Sequence, residues 1–356
     1  MKYYLNKEFI FGRYTLRIII IFLSLFILII KKRKKIGVIC LNHGINIGNN
    51  LLKYAIYIKL RELGFDPYLI GTNYKHREIH FLEKNTKYRI IKRNFSEIKK
   101  NDYDYLMVNS DQTWRKFDRH FYDIGFLNFA KDWNIPKFVY GASLGYTDWR
   151  FTKIDEEILK NLIKNFTQIS VREKGAIKLI NHHFNIKPVF VLDPTLLIEK
   201  KYYLNIIKNF KDNKKIEGKF IFTYIFKKEK NTKNFIQYSS KKLGYKIYNV
   251  KLGEENSVEK FIYGIVNCEA VITNSFHGTI FSIIFNKPFI SFLFKNSPKE
   301  RFISLKEALK IHNRIFEYNQ KPNINLLKTP ININHTLIES LKNKSINYLK
   351  KNLGIL

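Results

Sequence analysis

Several short segments of this 356-residue chain place reactive side chains beside residues that shape the backbone. TNSFHGT, from Thr273 to Thr279, joins the imidazole of His277 to the hydroxyls of Ser275 and Thr279, and Gly278 lets a ligand approach the main chain closely. At a helix entrance, free amides and the positive end of the helix dipole favour a phosphate. A lone histidine more often serves structure, but this company puts a functional reading ahead. NSDQTW, Asn109 to Trp114, sets Ser110, Asp111 and Gln112, which could bond sugar hydroxyls, beside Trp114. That indole could stack on a sugar face or fill the core behind a capped turn, and the residues weigh equally for both.

SVRE ends in Arg172 and Glu173. The guanidinium can hold a carboxylate or phosphate through two parallel hydrogen bonds, or pair with Glu173 or another carboxylate of the chain. NIGNN, Asn46 to Asn50, reads as a strand-to-helix turn able to direct amides at a ligand, with Asn50 a candidate N-cap. Asp193-Pro194-Thr195 reads as a rigid exit turn. Lys299 and Arg301 would add positive charge, although most such side chains are simply solvated.

These segments need elements to carry them, and the pattern supplies alternating short apolar runs and amphipathic stretches, the mark of parallel strands joined by helices. Strands are expected at 36–41, 67–70, 105–108, 137–140, 169–171 and 188–192, then at 220–226, 246–250, 270–273 and 289–292. Helices are expected at 51–63, 154–166, 231–243, 257–266 and 279–285. The polar stretch 209–218 divides the two series. The reading is an α/β fold of two Rossmann-like domains facing a cleft, residues 36–208 and 219–330, with 331–356 a helical tail. Strand C-terminal ends and helix N-termini would line that cleft and attract anions.

The 63 Lys and Arg against 30 Asp and Glu give a formal charge of +33, which fits nucleic acid, an anionic membrane or an anionic substrate. The lysines are spread along the chain without a nucleic-acid-binding signature, so no nucleic-acid partner is expected. Cys40 and Cys268 each adjoin an apolar run and read as buried reduced thiols, too few for a disulfide framework or a zinc site. Residues 1–35 hold an apolar run from Ile18 to Ile30 that ends in Lys31-Lys32-Arg33-Lys34-Lys35. As a helix the run would be about 20 Å long, short of a hydrocarbon core of roughly 30 Å. With no small-residue cleavage site it reads as an added N-terminal hydrophobic helix, either buried against the protein or, as the basic cluster favours, attached to an anionic membrane surface with that cluster on the cytoplasmic face.

Taken in order over roughly residues 36–310, the motifs resemble those of the polysaccharide pyruvyl transferases. NIGNNLLKYA is similar to N-x-G-N-x-L-Q-x-Y-A with Leu52 in place of glutamine. VNSDQTW resembles G-S-D-Q-x-W with Asn109 for glycine, and TNSFHG resembles T-D-S-F-H-G with Asn274 for aspartate. SVRE and LDPTLL match closely, and KERFISL is similar to the Arg-containing segment that follows.

The resemblance implies a GT-B-like fold and transfer of a pyruvyl unit from phosphoenolpyruvate, the co-substrate, to a glycan or lipid-linked sugar, without metal, nucleotide or other cofactor. It implies donor binding by Arg172, Ser275, His277, Gly278, Thr279 and Arg301. Asn46, Asn49, Ser110, Asp111, Gln112 and Trp114 fall on the acceptor side, and Arg172, His277 and Asp111 are the candidates for catalysis. Two other readings stand beside it: a GT-B-type glycosyltransferase using a nucleotide-sugar, and a non-catalytic glycan-binding relative.

Overall fold

The computed structural model describes residues 33–41, 46–72, 79–116, 121–211, 217–254 and 257–356. Lys35–Leu356 form one compact unit. The hydrophobic helix expected at 18–30 lies outside the described residues, as do residues 212–216 of the expected linker. Among the described residues, no helix is long and apolar enough to cross a membrane.

Strands β1 (Lys35–Ile39), β2 (Asp66–Thr72), β3 (Tyr88–Ile91), β4 (Tyr105–Val108), β5 (Lys137–Ala142), β6 (Gln168–Val171) and β7 (Val189–Phe190) form a parallel sheet ordered β3-β2-β1-β4-β5-β6-β7. A second parallel sheet holds β8 (Phe220–Tyr224), β9 (Lys246–Asn249), β10 (Ala270–Thr273), β11 (Phe289–Leu293) and β12 (Ile315–Glu317), ordered β12-β11-β10-β8-β9. The inner strands β4, β5, β8, β10 and β11 are buried at every residue. Helices cover both faces of such sheets, which is why these strands read as continuous apolar runs. Each strand expected from the sequence is present. Edge strands β3 and β12 are not anticipated, because each is short and only partly buried.

The connecting helices are α1 (Ile47–Glu62), α2 (Ile79–Asn85), α3 (Phe121–Phe126), α4 (Lys153–Ile163), α5 (Lys174–Phe184), α6 (Lys200–Ile207), α7 (Lys230–Leu243), α8 (Ser257–Asn267), α9 (Phe276–Ile284), α10 (Glu300–Leu309) and α11 (His335–Asn352). Local chemistry sets their ends. Thr152 and Asp155 form a capping box on α4, and Gly244 closes α7 in the left-handed region at φ 69. Helix α11 follows the second sheet in sequence but packs on the first. Tyr348 donates to the Val139 carbonyl at 2.7 Å, Tyr105 to Leu353 at 3.2 Å, and Ser345 Oγ accepts from Leu192 N at 2.9 Å. One apolar cluster draws buried residues from both sheets and from α11, including Val38, Phe138, Phe222, Phe281 and Leu349. Burying each such side chain contributes about 1.5–3 kcal/mol. Cys40 and Cys268 are free and buried.

Candidate active site

Strand order reverses between β1 and β4 in the first sheet and between β10 and β8 in the second. Ligands collect outside the carboxyl ends of strands at such points. The segments after β1, β4, β6, β7 and β10 converge there.

Asn46 caps α1, its Oδ1 accepting from Gly48 N at 3.0 Å and Asn49 N at 3.4 Å. The motif therefore supplies the first helical turn rather than a preceding loop, and Asn46 takes the capping position that the sequence offered to Asn50. Asn49 reaches past the turn and donates to Asp111 Oδ2 at 2.8 Å. Asp111 lies in the left-handed region at φ 92. A side chain makes that conformation costly, by about 1–3 kcal/mol, and such strain persists where surrounding contacts enforce it. Here Ser143 N and Thr113 N both hold the Asp111 carbonyl, at 2.9 and 2.7 Å.

Arg172 is buried and binds two carboxylates of the protein, Asp111 Oδ1 at 2.8 Å and Asp193 Oδ2 at 2.6 Å. This corrects the expectation of a guanidinium open to a donor anion: both terminal nitrogens are engaged. Burial would lower the Arg172 pKa, but Asp111 and Asp193 outweigh it and raise it. Asp193, read from sequence as an exit turn, is central. Its Oδ1 accepts from Thr195 N and Oγ1 at 3.1 and 2.7 Å, and its Oδ2 faces His277 Nε2 at 3.7 Å. That separation suits an ion pair when the imidazole is protonated and is too long for a direct hydrogen bond. Burial pushes the Asp193 carboxyl up, yet His277, Arg172 and Thr195 together hold it well below the ordinary 3.8.

His277 arrives on the first turn of α9, which Ser275 caps by accepting from Gly278 N at 3.2 Å. A Cβ on Gly48 would lie 2.1 Å from His277 Nδ1, so the imidazole rests on the bare backbone of α1. Gly278 is equally confined, since a Cβ there would meet Thr273 Oγ1 at 2.4 Å. Thr279 is fully buried and bonds Ser275 O and Ser291 Oγ, which makes it part of the helix packing rather than a ligand group. Phe276 lies between two cations, with Arg172 5.2 Å and Arg301 5.1 Å from its ring centre. Burial and the neighbouring Arg172 lower the Arg301 pKa to about 10, so it stays charged at neutral pH, and its buried Nε has no hydrogen-bond partner.

Above this cluster opens a cleft of about 810 Å³. Asn46, Asp111 and Gln112 line one wall, Phe226, Ser297 and Arg301 the other. Gln112 Oε1 accepts from Arg115 at 3.1 Å, while its buried Nε2 has no partner. Two expected acceptor residues are placed elsewhere. Trp114 is 1% exposed, donates to Gly125 O at 2.8 Å and stacks on Phe126 at 4.7 Å, so it takes the core reading and not sugar stacking. Ser110 is buried and bonded to Gly141 O at 2.8 Å.

The departures from the motif pattern have local partners. Asn109 directs Nδ2 at Cys40 Sγ, 3.6 Å away, instead of entering the cleft. Asn274 accepts from Phe226 N at 2.7 Å and donates to Lys227 O at 2.8 Å, fixing the loop after β8, and Leu52 is fully buried. Sequence reading missed Arg115, Tyr146 and Arg150 in the cleft wall. The aromatic and basic run GYTDWR after β5 was the available signal.

No match was found among curated proteins. Solved structures share the fold at low identity. Staphylococcus aureus MnaA in its UDP co-structure aligns with a TM-score of 0.54 at 14% identity, covering 91% of this chain and 98% of that one. A putative UDP-N-acetylglucosamine 2-epimerase from Listeria monocytogenes aligns at 0.56 and 10% identity with the same coverage. Arabidopsis thaliana UGT89C1 complexed with UDP-L-rhamnose aligns at 0.53 and 8% identity, also over 91% and 98%. These likenesses make the architecture GT-B-like and carry no chemistry with them. The polysaccharide pyruvyl transferase family model matches residues 46–296, from the cap of α1 to the loop after β11. The chain belongs to the polysaccharide pyruvyl transferase family and is a transferase enzyme.

Proposed function

We propose that the enzyme transfers the pyruvyl unit of phosphoenolpyruvate to two hydroxyls of a sugar in a cell-surface polysaccharide or its lipid-linked precursor, forming a cyclic ketal and releasing phosphate. One observation carries this reading: Asn49, Asp111, Arg172, Asp193 and His277, from five separate segments, meet under a cleft that Arg301 also lines. Protonation of the donor's C3 makes C2 electrophilic, and a sugar hydroxyl adds there as it gives up its proton. The C2–O bond to phosphate then breaks, the phosphate leaves with the bonding pair, and the second hydroxyl closes the ketal. One hydroxyl proton balances the proton added at C3, and the other leaves with phosphate.

In this reading Arg301 and the first turn of α9 meet the donor's negative charges, since a desolvated guanidinium and a helix N-terminus both favour anions. His277, set against Asp193, is the group suited to carry a proton. Asp111 sits at the acceptor wall as the candidate base. Arg172 acts through them, holding the Asp111 and Asp193 carboxylates in place. The route requires neither metal nor nucleotide.

The glycosyltransferase alternative has the fold alone in its favour. Thermal unfolding separates the two: stabilisation by phosphoenolpyruvate and not by UDP-sugars supports pyruvyl transfer, and the reverse pattern overturns it. Membrane attachment through residues 18–30, with the catalytic unit on the cytoplasmic face, completes the proposal. Deleting residues 1–30 should release the protein from membranes with activity on a soluble acceptor retained, and an intact chain found wholly in the soluble fraction contradicts the attachment.

A further inference from the structure

The cleft is lined by four cationic side chains, Arg115, Arg150, Lys299 and Arg301, against two acidic ones, Asp111 and Asp148. Asp111 is committed to Arg172, and Lys299 to Glu317 at 2.9 Å. Arg301 stands on the wall with Phe226 and Ser297, near His277's helix. The other two arginines stand apart from it, on the β4 and β5 side, around one ring: the guanidinium carbon of Arg115 is 4.7 Å and that of Arg150 3.7 Å from the Tyr146 centroid. Arg115 also donates through Nε to the Tyr146 hydroxyl at 2.7 Å and through Nη1 to Gln112. Asp148 meets Arg150 at 3.0 Å, an exposed contact of the kind that contributes little.

The segment bearing Tyr146 and Arg150 is anchored. Trp149 stacks on His183 at 3.9 Å with ring planes 7° apart and donates to Glu156 Oε1 at 2.6 Å. Gln112 adds a buried amide nitrogen that no protein atom satisfies. Two guanidiniums packed on one ring repel each other, and a buried donor without an acceptor loses its hydration for nothing in return. An oxyanion between them would relieve both penalties.

We propose that the wall formed by Gln112, Arg115, Tyr146 and Arg150 binds a negatively charged group carried by the acceptor sugar, a phosphate ester or a carboxylate, close to the hydroxyls that receive the pyruvyl unit. The proposal rests on the pyruvyl-transfer reading for its assignment to the acceptor, because the donor's own charges fall to Arg301 and α9. Gln112 gives its amide to an oxygen of the group while the two guanidiniums supply bidentate contacts.

The test measures binding of glucose, glucose 1-phosphate and glucuronic acid to the full chain by ligand-observed NMR, with saturating phosphoenolpyruvate closing the donor pocket. The wild type should prefer at least one charged probe over glucose by on the order of tenfold, the effect of one charge-assisted contact. Preference for the phosphate or for the carboxylate identifies the source of the charge. Arg115→Gln and Arg150→Gln should each reduce that preference. Should either fail to fold, Tyr146→Phe removes only the oxygen that holds Arg115 and should weaken the preference in the same direction. Equal binding of all three probes, or a preference that survives in these variants, overturns the proposal. Failure of phosphoenolpyruvate to bind would instead overturn the donor assignment, while loss of the charged-probe preference in Arg115→Gln and Arg150→Gln would still report on this wall.

Discussion

The backbone of Gly48 on the first sheet's leading helix is the surface on which His277 of the second sheet rests, with room for no side chain between them. A motif glycine and a motif histidine more than 200 positions apart in sequence are thus parts of one packing arrangement. Gly48→Ala should force the imidazole off Asp193. The overpacking should cost about 1–3 kcal/mol in unfolding experiments, and phosphate release should fall with it. Wild-type stability and turnover in this variant would show that His277 does not need that seat.

Arg172→Ala should be among the most destabilising single changes in the protein. It leaves the Asp111 and Asp193 carboxylates buried without their shared cation, a loss of about 3–5 kcal/mol. Urea unfolding measures it. A cost below about 1 kcal/mol, the range of surface pairs, would contradict the buried arrangement.

The pH dependence has a definite sign. The folded Asp193 pKa lies below its unfolded value of 3.8, so the associated stabilisation is complete above the unfolded value and is lost as pH falls through the folded one. The stability difference between wild type and Asp193→Asn should accordingly be steady at neutral pH and shrink on acidification below about 4. Thermal unfolding across pH reads it, and a difference that grows in acid would reverse the assignment.

Much of this was legible from residues alone. Continuous apolar runs gave away the buried parallel strands, and polar clusters at strand ends marked the site. Side-chain direction was not. SVRE shows an arginine at a strand end but not that Asp111, 61 positions away, and Asp193 would both close on it. Nor does NSDQTW reveal which way its indole turns, since a capped turn permits either face. Asp193 looked like a turn residue because its capping of Thr195 is local, whereas its approach to His277 depends on how the two sheets pack.

Trp114 offers a direct check of that point. Trp114→Phe removes the donor to the Gly125 carbonyl and should cost about 1–3 kcal/mol of stability. The acceptor KM should not change, and a raised KM with stability intact would return the indole to the cleft.

Asn274→Asp restores the family's usual residue. It keeps an acceptor for Phe226 N but sets a carboxylate against the Lys227 carbonyl, where an amide now donates. The loop after β8 should loosen, seen as faster amide exchange at 225–229, with a stability loss on the order of 1 kcal/mol. Unchanged exchange and stability would mean the amide donor is dispensable.

The central claim is that this cleft passes a pyruvyl unit from phosphoenolpyruvate to a sugar. Purified full-length protein incubated with phosphoenolpyruvate and glycan from the producing cell should release phosphate only when both are present, leave a pyruvate ketal on the glycan, and lose most turnover on His277→Gln. Glycan-dependent phosphate release that persists undiminished in the variant, or no release and no ketal with the native glycan, would contradict it.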